Sequence, residues 1–598
     1  MITRISARGA ITILAFFTLA IPFGVQAEDY LSPVGVTPDP SGEFLYIVCS
    51  TGNRIARFDI KPETTTQTFE LGNAPTGVAV SPDGGRIYVT DESPDGNVWV
   101  FDTASANVLS HISVGHTPVA PTIFPDGEKM TVCNRFDNSV SFIDLETERV
   151  IATIPAAREP IAAALTPDGN TLIVANHLPD GPANTGMISA KIQVFDTESR
   201  RILATIPLPN GSTSLRGLCV SPDGRYAYAT HILGRYLLPT TQLDRGWMNT
   251  NAVSVIDIQE KRLLNTFLLD NIDQGSANPW GVACTSDGKH LLVSHSGTHE
   301  LSLIDLVRLH EKLSSDKEPD QIPNDLAFLV GIRQRIPLEG KGPRGLAVVG
   351  DQAYVAEYFS DSLAVVDLER KESLRARSIP LQDPVPMTDV RKGELLFHDA
   401  SVCFQHWQSC ATCHPDARTD ALNWDLLNDG LGSPKNTKNM LLAHQTPPTS
   451  MTGVRDNAET SVRAGFRYIE FTVLPEEEIR TVDEYLKSLT PVPSPYLVDG
   501  ELSEAAKRGE VVFKKANCHH CHPEPLFTDL QRYDVGTGEG NEAGTEFDTP
   551  TLIESWRTAP YLYDGRAATM KDVFKWHQGT EQLTDKEIDD LVEYVLSL

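Results

Sequence analysis

Seven times between residues 28 and 380 the chain repeats a pair of marks, at a spacing of roughly forty residues that suits four short strands per unit. The first mark is a tight turn: Pro38-Asp39, Ser81-Pro82-Asp83-Gly84, Pro125-Asp126-Gly127, Pro167-Asp168-Gly169, Ser221-Pro222-Asp223-Gly224, Ser286-Asp287-Gly288 and Gly350-Asp351. Such clusters make hairpin turns in which Gly supplies the positive φ. The second mark is an apolar residue followed by Asp: Phe58-Asp59, Phe101-Asp102, Ile143-Asp144, Phe195-Asp196, Ile256-Asp257, Ile304-Asp305 and Val366-Asp367. Between the marks lie alternating strands such as Arg86–Thr90 and Asn97–Phe101. Seven units closing in a ring predict a seven-bladed β-propeller. The residues that end the strand after each turn (Ser50, Asp91, Asn134, Asn176, His231, His295 and Glu357) are expected to line one mouth of its channel, as a solvated polar rim or a ligand site. Longer loops at Leu178–Ala190, Ile232–Thr250 and Arg308–Arg335 are where a partner would be recognised.

Beyond the Pro-rich connector Pro380–Pro386 the pattern changes to helices and long loops, and one unit occurs twice. Lys392-Gly393-Glu394-Leu395-Leu396-Phe397 returns as Arg508-Gly509-Glu510-Val511-Val512-Phe513. Ile479, Tyr485-Leu486 and Ser488-Leu489 return as Ile588, Tyr594-Val595 and Ser597-Leu598. The latter pair are amphipathic helices that start among acidic residues. Each copy holds a Cys-x-x-Cys-His run, Cys410-Ala411-Thr412-Cys413-His414 and Cys518-His519-His520-Cys521-His522. In c-type haem attachment the two thiols bond to the porphyrin edge and the adjacent His reaches the iron from one face. A zinc knuckle or a redox thiol pair is the alternative for a single copy. Two copies in a duplicated frame predict two covalently bound haems c and iron redox chemistry. The expected architecture is multidomain: a seven-bladed all-β propeller over 28–380, then two mainly α cytochrome c-like domains over 388–490 and 497–598.

The N-terminus reads as a secretory signal over 1–27: Arg4 and Arg8, an apolar run from Ala10 to Ile21, and a small-residue cleavage site ending at Ala27. Export to a bacterial periplasm follows, with no membrane span in the mature chain. Against 80 Asp and Glu there are 51 Lys and Arg, a net charge of −29 that argues against nucleic acid or anionic membrane as a partner. Outside the two motifs stand Cys49, Cys133, Cys219, Cys284 and Cys403, an odd number that assigns no disulfide.

The haem-bearing half resembles the bacterial di-haem cytochrome c peroxidases and the related enzyme MauG. The resemblance rests on both Cys-x-x-Cys-His runs and on Thr549-Pro550-Thr551-Leu552 followed by Ala559–Thr569. The repeats before it resemble YVTN-type propellers. By this resemblance His414 and His522 are the proximal iron ligands, and the position of the second haem's other ligand falls on His577, where the peroxidases carry Met and MauG carries Tyr. Laid on the same frame, the first copy places Phe466 there, and Phe cannot ligate iron. The first haem is therefore expected to be open and reactive, and the second to be closed and to pass electrons.

An open iron that reduces peroxide needs a group to move a proton and polar stabilisation of the departing hydroxide. His444, Gln445 and Glu470 are the catalytic candidates, with Tyr468 and Glu476 nearby; His444 is alternatively a sixth ligand. Arg455 and Arg566 are expected to hold haem propionates. Trp407, Trp424, Trp556 and Trp576 are packing residues or electron relays. The family also implies calcium between the haem domains, for which no acidic cluster in this sequence speaks. The expected function is a peroxidase-like oxidoreductase supplied by a donor cytochrome or cupredoxin, with the propeller docking a donor or substrate protein. The alternatives are MauG-like oxidation of a partner protein and a non-enzymatic electron-transfer cytochrome.

Overall fold

A computed structural model describes residues 30–237, 247–369, 374–426 and 432–598. The signal segment, with Ala27, lies outside the described residues.

Seven antiparallel sheets follow one another along the chain, each from one contiguous stretch with its strands paired in sequence order. The first blade is Pro33–Pro38, Phe44–Cys49, Arg54–Asp59 and Thr64–Glu70, and the seventh ends with Ala376–Pro380. Pro33–Pro38 lies against Pro343–Val349, which closes the ring. Both sequence marks have a physical basis here. Gly84, Gly127, Gly169, Gly224 and Gly288 all stand near φ +70°, the left-handed region that Gly enters without cost. The Asp of the second mark ends the third strand of each blade and caps the turn after it: Asp102 accepts from the Ser105 amide at 2.7 Å, Asp144 from Thr147 at 2.8 Å and Asp196 from Ser199 at 2.7 Å.

The strand-end residues do not form the expected rim. In the first blade the residue in phase is Cys49, opposite Pro33 as Asp91 is opposite Pro75; Ser50 is one position late. Asp91, Asn134, Asn176, His231, His295 and Glu357 are all 1% exposed or less. Each turns back to the third strand of its own blade. Asp91 accepts from Trp99 Nε1 at 2.9 Å, Asn134 Nδ2 donates to Ser139 and Ser141, and His231 and His295 meet Ser254 and Ser302 through Nε2. These are buried polar groups satisfied within the fold, not a solvated mouth.

In the haem-bearing half the duplication is also structural. Helix Asp389–His398 crosses Glu476–Ser488, and Glu504–Lys515 crosses Asp585–Leu596. Gly in mid-helix costs about 1 kcal/mol against Ala, yet both repeats keep one at the crossing. A Cβ on Gly393 would meet the Thr481 carbonyl oxygen at 1.8 Å, and one on Gly509 the Asp590 oxygen at 1.9 Å.

This half docks on the propeller face that carries the strand-two ends. Thr213 Oγ1 donates to the Asp420 carbonyl at 2.8 Å, the Ala400 amide to Gly297 at 2.9 Å and the Ala183 amide to Gly565 at 2.8 Å. The described parts of Leu178–Ala190 and Ile232–Thr250 are thus drawn to the chain's own haem segments: Ala183, Trp247, Met248 and Leu326 share an apolar cluster with Cys403, Trp407 and Trp424. At the centre, Asp416 accepts from Arg135 at 2.5 Å, Arg216 at 2.8 Å and Arg557 at 2.7 Å.

Gly509→Ala is expected to lower unfolding free energy by about 1–3 kcal/mol, because the helices must part to admit the methyl group although Ala is the better helix former. Chemical denaturation of the holoprotein measures it, and a stabilised variant would contradict the crossing.

Candidate haem sites

Ser409 caps the single helical turn Cys410–Cys413 in a capping box with Thr412, which fixes the first motif's backbone. The second motif begins at Asn517, itself left-handed at φ 61, and runs through a short 3₁₀ turn, Cys518–His520. One cavity of about 510 Å³ reaches both motifs, with Cys410, Cys413 and His414 on one side and Cys521 and His522 on the other.

The residues present fit covalently bound haem. His414 Nδ1 lies 3.0 Å from the Arg418 carbonyl, and His522 Nδ1 lies 2.9 Å from that of Phe527. Each carbonyl fixes the proton on Nδ1 and leaves Nε2 for a metal. Burial holds the His522 imidazole down at about 4, so it is neutral and able to ligate. None of the four motif cysteines is tied up in a disulfide, so all four fit thioether attachment.

His577 lines the same cavity. The histidines that line it are His414, His522 and His577. Phe466 is buried in the apolar core beside Phe397 and Val462. Met440, Met451 and Met570 line the cavity as well, of which Met440 and Met570 went unnoticed in the sequence.

Glu470 is brought to the cavity; His444 and Gln445 are not. The Glu470 carboxyl is 2% exposed, with Oε1 3.1 Å from Cys410 Sγ and Oε2 without a partner. Burial pushes it up to about 8, so it is protonated at neutral pH. His444 turns its Nε2 to Asp483 at 3.1 Å, a carboxylate that also takes Arg463 at 2.6 Å, and Gln445 is exposed. Tyr468 and Glu476 are likewise on the surface.

Arg455 lines the cavity, whereas Arg566 is engaged by Asp564 and by Glu539 at 2.6 Å, over the Trp576 ring. Lys435 and Lys438 line it too and bridge to Glu542 and Asp548 of the second segment. Their long spacing from any motif gave no signal in the sequence. Of the four tryptophans, Trp424 reaches the cavity, and Trp556 packs against Phe136 of the propeller at 5.0 Å. Among the described residues no three or more His, Cys, Asp or Glu side chains gather as a metal ion would require, and no helix is long and apolar enough to cross a membrane.

Comparison with known proteins fits this geometry. Residues 506–598 match the cytochrome c family and residues 73–101 the NHL repeat. Hydrazine synthase subunit gamma of Kuenenia stuttgartiensis is 31% identical over 275 residues, covering 35% of this chain and 77% of that subunit. The chain belongs to the family of that gamma subunit. Hydrazine synthase subunit beta of the same organism is 27% identical over 186 residues, covering 30% of this chain but only 48% of the subunit. Methylamine utilization protein MauG of Methylophilus methylotrophus is 24% identical over 294 residues, covering 38% of this chain and 87% of that protein. A solved chain of Kuenenia stuttgartiensis hydrazine synthase superposes with a TM-score of 0.53 at 26% identity, over 57% of this chain and 96% of its own. That share exceeds the haem-bearing half, so the propeller is part of the likeness. The chain is a propeller-fused, haem c-bearing oxidoreductase.

Glu470 gives a pH dependence. In the unfolded chain its carboxyl ionises near the usual value, about 4.3, whereas in the fold it keeps its proton up to about 8. The unfolded state therefore binds fewer protons between these values, and stability falls as pH rises through that window. Glu470→Gln is expected to flatten this fall when the denaturation midpoint of the holoprotein is followed from pH 5 to 9; an unchanged slope would contradict a buried neutral acid.

Proposed function

We propose that the chain is an exported two-haem oxidoreductase, one haem at each motif, which reduces hydrogen peroxide at the first site with electrons received through the second. The observation that supports it is the count of histidines at the cavity: three for two irons. With His414 and His522 as proximal ligands, His577 closes the second site and the first keeps a free face. Bound haem supplies the iron redox chemistry. The chain's own residues do the rest. His414 and His522 are oriented by the Arg418 and Phe527 carbonyls. Glu470 is a neutral acid at the cavity wall, able to give a proton to a leaving oxygen. Its neighbour Cys410, once a thioether, has no S–H to donate, which leaves the carboxyl its own proton for the reaction. Arg455, at the cavity wall, would hold the acidic haem edge. Electrons come from a donor cytochrome or cupredoxin in the periplasm, and any protein docked for oxidation would sit on propeller surface left free by the haem segments.

A second reading has its own support. Two subunits of hydrazine synthase, gamma and beta, both match this one chain. That favours nitrogen chemistry with hydrazine as reactant or product in place of peroxide reduction, at the same open site.

The test is a spectrum with haem counted per chain, followed by substrate consumption by the reduced protein. The expected result is two haems, one of them high-spin once the protein is half-reduced. His577→Ala turns the second haem high-spin; if it does not and Met570→Leu does, the closing ligand is the thioether. Peroxide consumption supports the first reading, and turnover of hydrazine alone the second. Glu470→Gln is expected to slow turnover about 10²- to 10⁴-fold without altering either spectrum.

A further inference from the structure

We infer that the haem-facing mouth of the propeller binds a small monovalent inorganic anion, of halide to nitrite size, at the edge of the Arg344 guanidinium beside Trp280. The three residues stand at the start of the innermost strands of neighbouring blades. Arg344 lies in Pro343–Val349, Trp280 in Pro279–Cys284, and Arg216 just before Leu218–Val220. Both guanidinium carbons are close to the Trp280 ring, at 4.5 Å for Arg344 and 4.4 Å for Arg216. Arg344 also lies 3.4 Å from the Tyr358 ring centroid.

Arg344 is 8% exposed, and among the described residues its guanidinium has neither a hydrogen bond nor an ion pair; its Nε is fully buried without a partner. The carboxylates that could answer it are already taken. Glu394 receives Arg391 at 2.8 Å and the Tyr358 hydroxyl at 2.9 Å. Asp416 carries Arg135, Arg216 and Arg557, and Glu159 takes Arg135 again at 2.8 Å. Arg344 is thus left without a carboxylate of its own, in a chain whose overall charge is −29. His177, within the field of Arg216, adds a buried Nε2 that also has no partner.

A buried charge without a counter-charge is among the costliest arrangements a fold can hold. Water would satisfy the N–H groups but not the charge. The ring faces on either side leave the guanidinium edge as the place where an anion meets it, the geometry in which Arg takes planar or spherical anions through paired N–H groups. The aromatic walls and the docked haem segments exclude large anions. The site is independent of the reaction, since none of these residues lines the haem cavity.

Crystals of the holoprotein grown in sodium gluconate and soaked in sodium bromide test it. An anomalous bromine peak in contact with the Arg344 guanidinium is the expected result, and no peak at the mouth overturns the proposal. In solution, replacing gluconate by chloride at constant ionic strength should raise the thermal midpoint of the holoprotein by about 1–3 °C. Arg344→Met should abolish the response; a variant that folds and still responds in full also overturns it. The bromide experiment uses the unaltered protein and so stands if the variant fails to fold.

Discussion

The carboxylate of Asp416, two residues beyond His414, takes arginines from three directions: Arg135 of the third blade, Arg216 of the fifth and Arg557 of the second haem segment. Burial alone would raise this acid, but Arg216, Arg135 and Arg557 outweigh it and hold the group well below the usual carboxylate range. Its backbone is left-handed, at φ 52, within the Pro415–Ala417 turn. The same turn delivers the Arg418 carbonyl to His414 Nδ1, and the Arg418 side chain then pairs with the fully buried Glu554 of the second segment. Orientation of the first proximal imidazole, docking on the propeller and joining of the two haem segments are therefore one connected set of contacts. Removing one member of such a set leaves like charges buried together, which is why buried pairs are costly to break even where they add little net stability.

That arrangement bears on why a propeller and haem segments share one polypeptide. The interface is polar at its centre and apolar at its flank, where Trp247, Met248 and Leu326 pack on Trp407 and Trp424. Covalent linkage makes association of the two halves intramolecular, so the desolvation of the interfacial arginines need not be offset by tight binding between separate chains. In Kuenenia stuttgartiensis the matching proteins are named as separate beta and gamma subunits.

Much of this was legible in the sequence, for identifiable reasons. The blades were, because the turn glycines and the strand-ending aspartates do local chemistry that leaves a fixed pattern. The duplicated haem segments were, because a glycine at each helix crossing has no substitute. Burial was not. Asp91, Asn134 and Glu357 read as solvated because polar residues usually are, and only three-dimensional pairing shows their partners on the next strand. In the first blade Cys49 and Ser50 are both small, so the phase slipped by one. Among the site candidates Glu470 was named as a group to move a proton near the first motif, and it does reach the cavity. His444 looked equal to it, yet its partner Asp483 comes from another helix and draws it away. Arg566 pairs with its own near neighbour Asp564, while Lys435 and Lys438 reach the cavity without any motif to announce them.

The cavity that joins the two motifs is apolar over most of its wall, and this sets how charge behaves inside it. Burial leaves His522 neutral and Glu470 protonated near pH 7, so neither side chain adds a fixed charge where a reaction would occur. The cations at the wall, Lys435 and Lys438, are already matched by Glu542 and Asp548. In such surroundings an added negative charge is screened weakly and raises the affinity of Glu470 for its proton, whereas an added positive charge lowers it. Charge moving into the cavity beside Cys410 is thereby coupled to a proton on the Glu470 carboxyl, irrespective of what is reduced there.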